Sequence, residues 1–491
     1  MYYPKFLSSL PFLLIFFAVL YIIIDWLSYN GSVFIPLVFG IIAIFLLFFK
    51  ERAFVYFITI LLLLSDDVSK YVGIGDSIPE SIIGYPFYGK VILAYILVIA
   101  FLKIIADFLI RKKNRFSLNI YDKVIIIMFL LYLFSAIVGI PNLLDYSGEY
   151  LGHLAPIIVI IISYLLIKRN FYSKDDLIKF FKIIILIFTG RLLATTLMFF
   201  SFKDIYYQIN YSSVNEFILI PLYFWIGLII WKNRQESFSI IKKIFVVLMV
   251  LMILFNVFIY GQRTIVFFFI ISLFLIFLLL LFSIPKFVKA IGLILIIILI
   301  SGIILIAFMP QHFNYFTLKY KQIFDWSLHP ASGTTTIAER QIELINIFGR
   351  LVNEKSLLWG EGLGGYFSSE YYPLPPEAHK QGSFPPEQLE KDQFFKPHNS
   401  FILIFLQMGI LGLFIYLLLI LLIILQLFRD FHKSFNVNFK ILFFSIFLGG
   451  FSIFILNPTL ATNFLYGLIL ALASNGHSIF LKNKIKNLKK L

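Results

Sequence analysis

From Leu10 to Ile479 the chain returns repeatedly to uninterrupted apolar runs, and this repetition limits the fold more than any other feature. A helix rising 1.5 Å per residue needs about 15–25 apolar residues to cross a ~30 Å hydrocarbon layer, and the runs have that length. They are too continuous for the one-in-two alternation of a membrane barrel strand. With 60% hydrophobic residues and a mean hydropathy of +0.95, the chain carries more apolar surface than a soluble core absorbs. The sequence therefore predicts an all-α polytopic membrane protein. Fourteen spans can be drawn, at 10–24, 32–49, 53–64, 91–110, 124–140, 152–167, 179–200, 214–231, 244–260, 264–282, 288–309, 399–427, 440–456 and 460–480. The third is short enough to be tilted or re-entrant, so about 12–14 transmembrane helices are expected.

The connections between spans alternate in charge. One set carries Lys50 and Arg52, Arg111 to Lys123, Lys168, Arg169 and Lys174, Lys232 to Lys243, Lys286 and Lys289, Arg429 to Lys440, and the tail from Lys482 to Lys490. The other set carries Asp25, Asp66, Asp67, Asp76, Glu80, Asp145, Glu149 and Asp204. The positive-inside rule makes the first set cytoplasmic and puts both termini inside. The net charge of +15 then reads as a match to anionic headgroups rather than to nucleic acid. No small-residue cleavage site follows the first run, so it is expected to stay as a span. Cysteine is absent, which excludes disulfides and thiolate metal sites.

Three regions follow. Residues 1–309 form a bundle of about eleven spans, 310–397 a large outer loop, and 398–491 three further spans with a basic inner tail. The loop holds ten of the 26 acidic residues and is too long to be a passive connection. Thr336-Ile337-Ala338-Glu339 reads as a capping box that opens an amphipathic helix, with Ile337, Ile342, Leu344, Ile345, Phe348, Leu351 and Val352 as its apolar positions. Gly360, Gly362, Gly364 and Gly365 make a turn-rich stretch, and Tyr371 to Pro397 reads as a mobile lid or strap. The absence of an internal repeat speaks against an inverted-repeat transporter.

Ionisable groups in or beside spans are the candidates for chemistry, because lipid makes them costly. His398 stands where the loop re-enters the membrane, and an imidazole there suits general-base work; Asn399 or Ser400 alone would serve to cap the helix. Arg263, in Tyr260-Gly261-Gln262-Arg263-Thr264, lies at the outer end of two spans with almost no loop between them, where positive-inside statistics disfavour it. Its fork of donors suits a phosphate or diphosphate, and a headgroup-snorkelling arginine is the plainer reading. Arg191 falls well inside its span and either pairs with Glu216 or contacts substrate. Arg340 alone reads as a surface residue of the amphipathic helix. Gly409 and Gly412 allow close helix contact. His153, at the outer end of its span, is a reserve base or ligand. Asp66-Asp67 reads as a solvated turn more readily than as a metal site, and His312, His329 and His379 lack zinc-like spacing. One outer face thus gathers a histidine and two or three arginines. A lipid-diphosphate sugar fits such a face, since its leaving group is built in and arginines can neutralise it.

These residues resemble the O-antigen ligase and polymerase family of bacterial integral-membrane glycosyltransferases. The family pattern of His, Asn/Ser/Gln, nine residues, Gly, two residues, then Gly/Thr/Tyr stands here as His398-Asn399, Ser400 to Met408, Gly409, and Gly412 two residues on. Arg340 leading an amphipathic helix, then Leu358-Trp359-Gly360-Glu361-Gly362-Leu363-Gly364-Gly365-Tyr366-Phe367, is similar to the family's segment upstream of its histidine, and Arg263 to its outer-face arginine. The resemblance implies a GT-C-like helical enzyme of the inner membrane. It implies cofactor-free, metal-independent, inverting transfer of a glycan from undecaprenyl diphosphate to a sugar hydroxyl on the periplasmic side. The acceptor would be a lipid A-core sugar for a ligase or a lipid-linked glycan for a polymerase, and a chain-length regulator or flippase would be a partner. His398 would be the general base or the group that orients the acceptor, Arg263 and Arg340 would hold the diphosphate, and Asn399, Gln262 and Arg191 would contact substrate. A transporter of lipid-linked saccharides is the alternative class, and a metal-dependent transferase using Asp66-Asp67 is a third.

Overall fold

Apolar runs that cannot leave backbone groups unpaired in lipid become helices. The computed structural model describes residues 4–29, 34–64, 89–110, 118–201, 218–232, 240–260, 269, 271–272, 336–374, 384, 386–397, 399–434, 436–449 and 460–488. Its helices are α1 (Pro4–Tyr29), α2 (Phe34–Phe49), α3 (Glu51–Leu64), α4 (Gly89–Ile110), α5 (Ile120–Val138), α6 (Ile140–Asp145), α7 (Ser147–Asn170), α8 (Lys174–Ser201), α9 (Leu219–Lys232), α10 (Ile240–Tyr260), α11 (Thr336–Asn353), α12 (Pro386–Lys391), α13 (Ser400–Lys433), α14 (Val437–Gly449) and α15 (Leu460–Leu488). Among the described residues the only extended pairing is an isolated bridge between Phe367 and Phe394. The protein is an all-α polytopic membrane protein. Ile120–Val138, Ser147–Asn170, Ser400–Lys433 and Asn463–Leu481 are long and apolar enough to cross a membrane, and five shorter apolar helices accompany them. The expected span at 288–309, and that at 264–282 apart from Phe269, Ile271 and Ser272, lie outside the described residues.

Several helices begin earlier than hydropathy places them, and α5 shows why. Counting apolar residues starts the fifth span at 124, whereas α5 begins at Ile120. The cause is a capping box: Asn119 accepts from the Asp122 N–H, and the Asp122 carboxylate accepts from the Asn119 N–H.

α7 and α15 pack along each other, as do α9 with α14 and α1 with α8. Their buried faces form one continuous apolar core, including Trp225, Tyr223, Phe443 and Phe464. Outward faces stay apolar as well, with Ile410, Leu411, Phe414 and Leu417 of α13 exposed, as a lipid-facing surface requires.

At one end of the bundle the charges close on themselves. Lys168 pairs with Asp122, and Tyr164 Oη donates to the same carboxylate at 2.6 Å. Arg169 reaches Asp107 at 2.6 Å and Glu51 at 3.3 Å, while Lys103 reaches Glu51 at 2.6 Å and Asp107 at 3.1 Å. On α13 and α15, Asp430 accepts from Tyr121 at 3.0 Å and Gln426 at 2.9 Å and lies 2.8 Å from His477 Nδ1. This basic end is the far end of α7 from the site described next.

Candidate functional site

The site is built around a break in α13. Gly409 has φ 64° and ψ −165°, which splits the helix into Ser400–Met408 and the stretch from Ile410 on. In an unbroken helix the Ile410 and Leu411 N–H groups would bond the Leu406 and Gln407 carbonyls. Here the loop segment after α11 takes over all four groups. Ile410 N–H donates to Leu357 O (3.0 Å) and Leu411 N–H to Leu358 O (3.2 Å). In return Glu361 N–H donates to Leu406 O (2.8 Å) and Gly362 N–H to Gln407 O (3.0 Å). Irregular backbone at a break in an apolar helix survives only when protein satisfies it, and this exchange does so. A Cβ at Gly409 would lie 2.5 Å from the Leu358 carbonyl, so the position requires glycine for its φ and for its neighbour. The second half of the spacing motif therefore marks where loop and helix interlock, which goes beyond simple close packing.

The loop brings its own core to this junction. α11 is strongly amphipathic, and its Ile342, Ile347 and Leu351 bury against Phe405 and Leu406 of α13 with Phe367, Phe384 and Phe394. Buried Asn346 clamps the returning chain: its Oδ1 accepts from the Tyr371 and Tyr372 N–H groups, and its Nδ2 donates to Tyr372 O. Phe367 and Phe394 exchange two backbone hydrogen bonds, and Asp392 accepts from both the Ser369 N–H and hydroxyl. The expected strap thus runs back along the Gly-rich stretch where it is described, and 375–383 lies outside the described residues. Arg350, which sequence reasoning passed over, has its guanidinium 3.9 Å from the centre of the Tyr366 ring and 3.5 Å from Glu361, which also accepts from Ser356.

The third component comes from much earlier in the chain. Ser135 Oγ donates to Gln407 O, and Ser135 O accepts from the Leu363 N–H. Asn142 donates to the carbonyls of Glu361 and Leu363. Gly139 and Gly362 meet back to back, and a Cβ on either would overlap the other's backbone. At the start of α7, Tyr146 packs its ring on Phe395 (5.0 Å) and Tyr366 (5.6 Å), and Glu149 lies 3.5 Å from Lys396 Nζ. His153 Nδ1 accepts from the Gly364 N–H at 3.1 Å. The corner α5–α6–α7 is thus the platform on which loop and strap sit.

The expected site residues fall as follows. Asn399 is the N-cap of α13, with its side chain accepting from the Phe401 N–H at 2.8 Å. His398 lies outside the described residues, between buried Pro397 and Asn399. Arg340 lies in the second turn of α11 and is half-buried, with its Nε buried and without a hydrogen bond among the described residues; it is not a plain surface arginine. Arg191 is buried elsewhere, at the junction of α1, α3 and α8, where its Nη1 donates to Leu63 O at 2.9 Å and its guanidinium lies 5.4 Å from the Tyr21 ring. Gln262, Arg263, Glu216, Asp66, Asp67, His312, His329 and His379 lie outside the described residues. No cluster of three metal-ligating side chains occurs among the described residues. Beside the break, Leu344, Ile345 and Phe348 of α11 face Phe405 and Leu413 of α13 across an apolar groove of about 550 Å³.

Comparison with known proteins agrees with the spacing motif. Residues 247–417 match the family model described as O-antigen ligase. That segment includes Gln262, Arg263, Arg340, His398, Asn399, Gly409 and Gly412, and it leaves out the platform at 135–153. No curated protein and no solved structure matches the chain. The match ties the chain to ligation of O-antigen or a related surface polysaccharide. Through this segment the chain is similar to the O-antigen ligase family.

Proposed function

We propose that the protein transfers a glycan from undecaprenyl diphosphate to a sugar hydroxyl at the periplasmic face of a bacterial inner membrane, as ligase or repeat-unit polymerase. The observation that carries this reading is the interlocked break at Gly409, which lies inside the matched segment and fixes the helix that Asn399 caps to the loop segment following the helix of Arg340.

In the proposed step His398 takes the proton of the acceptor hydroxyl as its oxygen attacks the anomeric carbon. The anomeric C–O bond to the diphosphate breaks, configuration inverts, and undecaprenyl diphosphate leaves with the electron pair. Arg263 and Arg340 neutralise the charge growing on the leaving group, and Gln262 and Asn399 orient the sugars. The half-buried setting of Arg340 supports this role, since a partly desolvated guanidinium binds a diphosphate more strongly than an exposed one. The donor's hydrocarbon would lie in the apolar groove lined by Leu344, Ile345 and Phe348, which begins one turn further along α11 than Arg340. Arg191 is read here as the cap of α3 rather than a donor contact, because its fork is engaged by Leu63. The periplasmic assignment rests on the basic end carrying Lys103, Lys168 and Arg169, opposite the loop.

The test is His398→Ala in cells lacking the native gene. Loss of polysaccharide transfer with normal membrane levels of the variant is expected. Normal transfer would remove His398 as base. The polysaccharide ladder also separates the acceptors: a single-repeat product indicates a lost polymerase, and lipid-linked polymer that never reaches lipid A a lost ligase. EDTA-sensitive transfer would instead favour the Asp66-Asp67 metal mechanism.

A further inference from the structure

His153 is the one histidine of α7, it is 4% exposed, and the spacing motif does not include it. Its Nδ1 accepts the Gly364 N–H, so that nitrogen carries a lone pair and the ring proton sits on Nε2. Nε2 is buried, and the polar group it meets is the backbone of Phe395. The backbone of Phe395 and the ammonium of Lys396 border the ring, and a Cβ built on neighbouring Gly152 would stand 3.8 Å from Lys396 Nζ. A buried ring engaged at both ends by separate segments ties those segments together.

The two segments His153 touches are the ones that lead into the site. Gly364 ends the stretch exchanged with the broken helix, and Phe395-Lys396-Pro397 is the last stretch before His398. Tyr146, the residue before α7, and Glu149, one turn before His153, hold the same strap through Phe395 and Lys396. A shift at Phe395 is carried to His398 within three residues, and Pro397 stiffens the connection.

We propose that His153 is a positioning residue for transfer: Nδ1 fixes the Gly-rich stretch, Nε2–H holds the strap, and together they set the place of His398 over the substrate. This rests on the reading of His398 as the base. It also means that the site of this chain extends beyond the matched segment, to a helix more than two hundred residues upstream of His398.

The experiment uses full-length protein in proteoliposomes with lipid-linked glycan and acceptor extracted from the source membranes, and follows release of polyprenyl diphosphate. His153→Ala is expected to lower kcat by about 10- to 100-fold, the scale of an ångström of misplacement, with the donor KM within about twofold. His153→Asn keeps an acceptor where Nδ1 stands, and His153→Gln keeps a donor near Nε2. Each is expected to recover part of the loss, with an apparent melting temperature close to that of the unmodified protein. If His153→Ala does not accumulate, the Asn and Gln variants decide. An unchanged kcat in His153→Ala, or Asn and Gln variants no better than Ala at normal stability, overturns the proposal. So does a loss confined to protein level. His398→Ala runs in parallel: if it retains transfer, the base assignment falls and this proposal with it. If it is inactive while His153→Ala is unimpaired, only the proposal falls.

Discussion

The two ends of α7 differ in how they treat polar groups. At the basic end Lys168, Arg169 and Asn170 are each engaged by a carboxylate, those of Asp122, Asp107 and Glu51, and the partners are on α3, α4 and α5. At the loop end the partners are backbone groups and aromatic rings of a non-helical segment, with His153 set between Gly364 and Phe395. The first arrangement is a closed ion-pair clasp whose removal should be felt as stability. The second holds a strap in place, and its removal should be felt as rate.

The largest stability effect is expected where a buried charge is orphaned. Lys168→Met leaves Asp122 unpaired at the basic end and should cost about 3–5 kcal/mol, read as a lower apparent melting temperature in detergent. Transfer per folded molecule should be unchanged, and a specific-activity loss exceeding the folded fraction would erase the distinction between the ends. Gly409→Ala comes next, at roughly 2–4 kcal/mol from the positive φ and the Leu358 carbonyl in its path. It should also abolish transfer in the protein that remains folded; a folded, active variant would mean that the break is incidental. Ser135→Ala removes one of two donors to the Gln407 carbonyl and should cost about 1 kcal/mol, with a several-fold loss of rate. Glu149→Gln is the mildest. Its partner Lys396 is 63% exposed, so stability should shift by less than about 0.5 kcal/mol, and any rate loss should fade with added salt.

Much of the fold was legible because lipid enforces simple rules. Spans follow from hydropathy, and α11 begins at Thr336 as expected, but of its expected apolar positions Ile342 and Leu351 are buried, joined by Ile347, while Leu344, Ile345, Phe348 and Val352 stay exposed. Boundaries slipped where polar residues do the work, as at Asn119-Ile120-Tyr121-Asp122, which hydropathy excludes and capping includes. The spacing from Asn399 to Gly409 was visible, but its physical meaning was not. A lone glycine in an apolar run reads as packing, and only the matching loop, fifty residues upstream, shows that it marks a break. The platform was the least legible part. Ser135, Gly139 and Asn142 are ordinary residues at the end of a span, and nothing local to them announces a partner more than two hundred residues away. Arg350 was overlooked for a related reason, since arginine on an amphipathic helix defaults to solvent. The glutamate and tyrosine that engage it come later in the chain.

The four-bond exchange at Gly409 has a consequence for heredity and for engineering. Its loop strands are wedged against Ser135, Gly139 and Asn142, so the matched segment and the α5–α7 corner are two halves of one fitted joint. Relatives should have changed the two in concert, and a chimera that imports 336–417 alone into another scaffold inherits a plug without its socket. Swapping the segment together with 119–153 is the smallest exchange the geometry recommends.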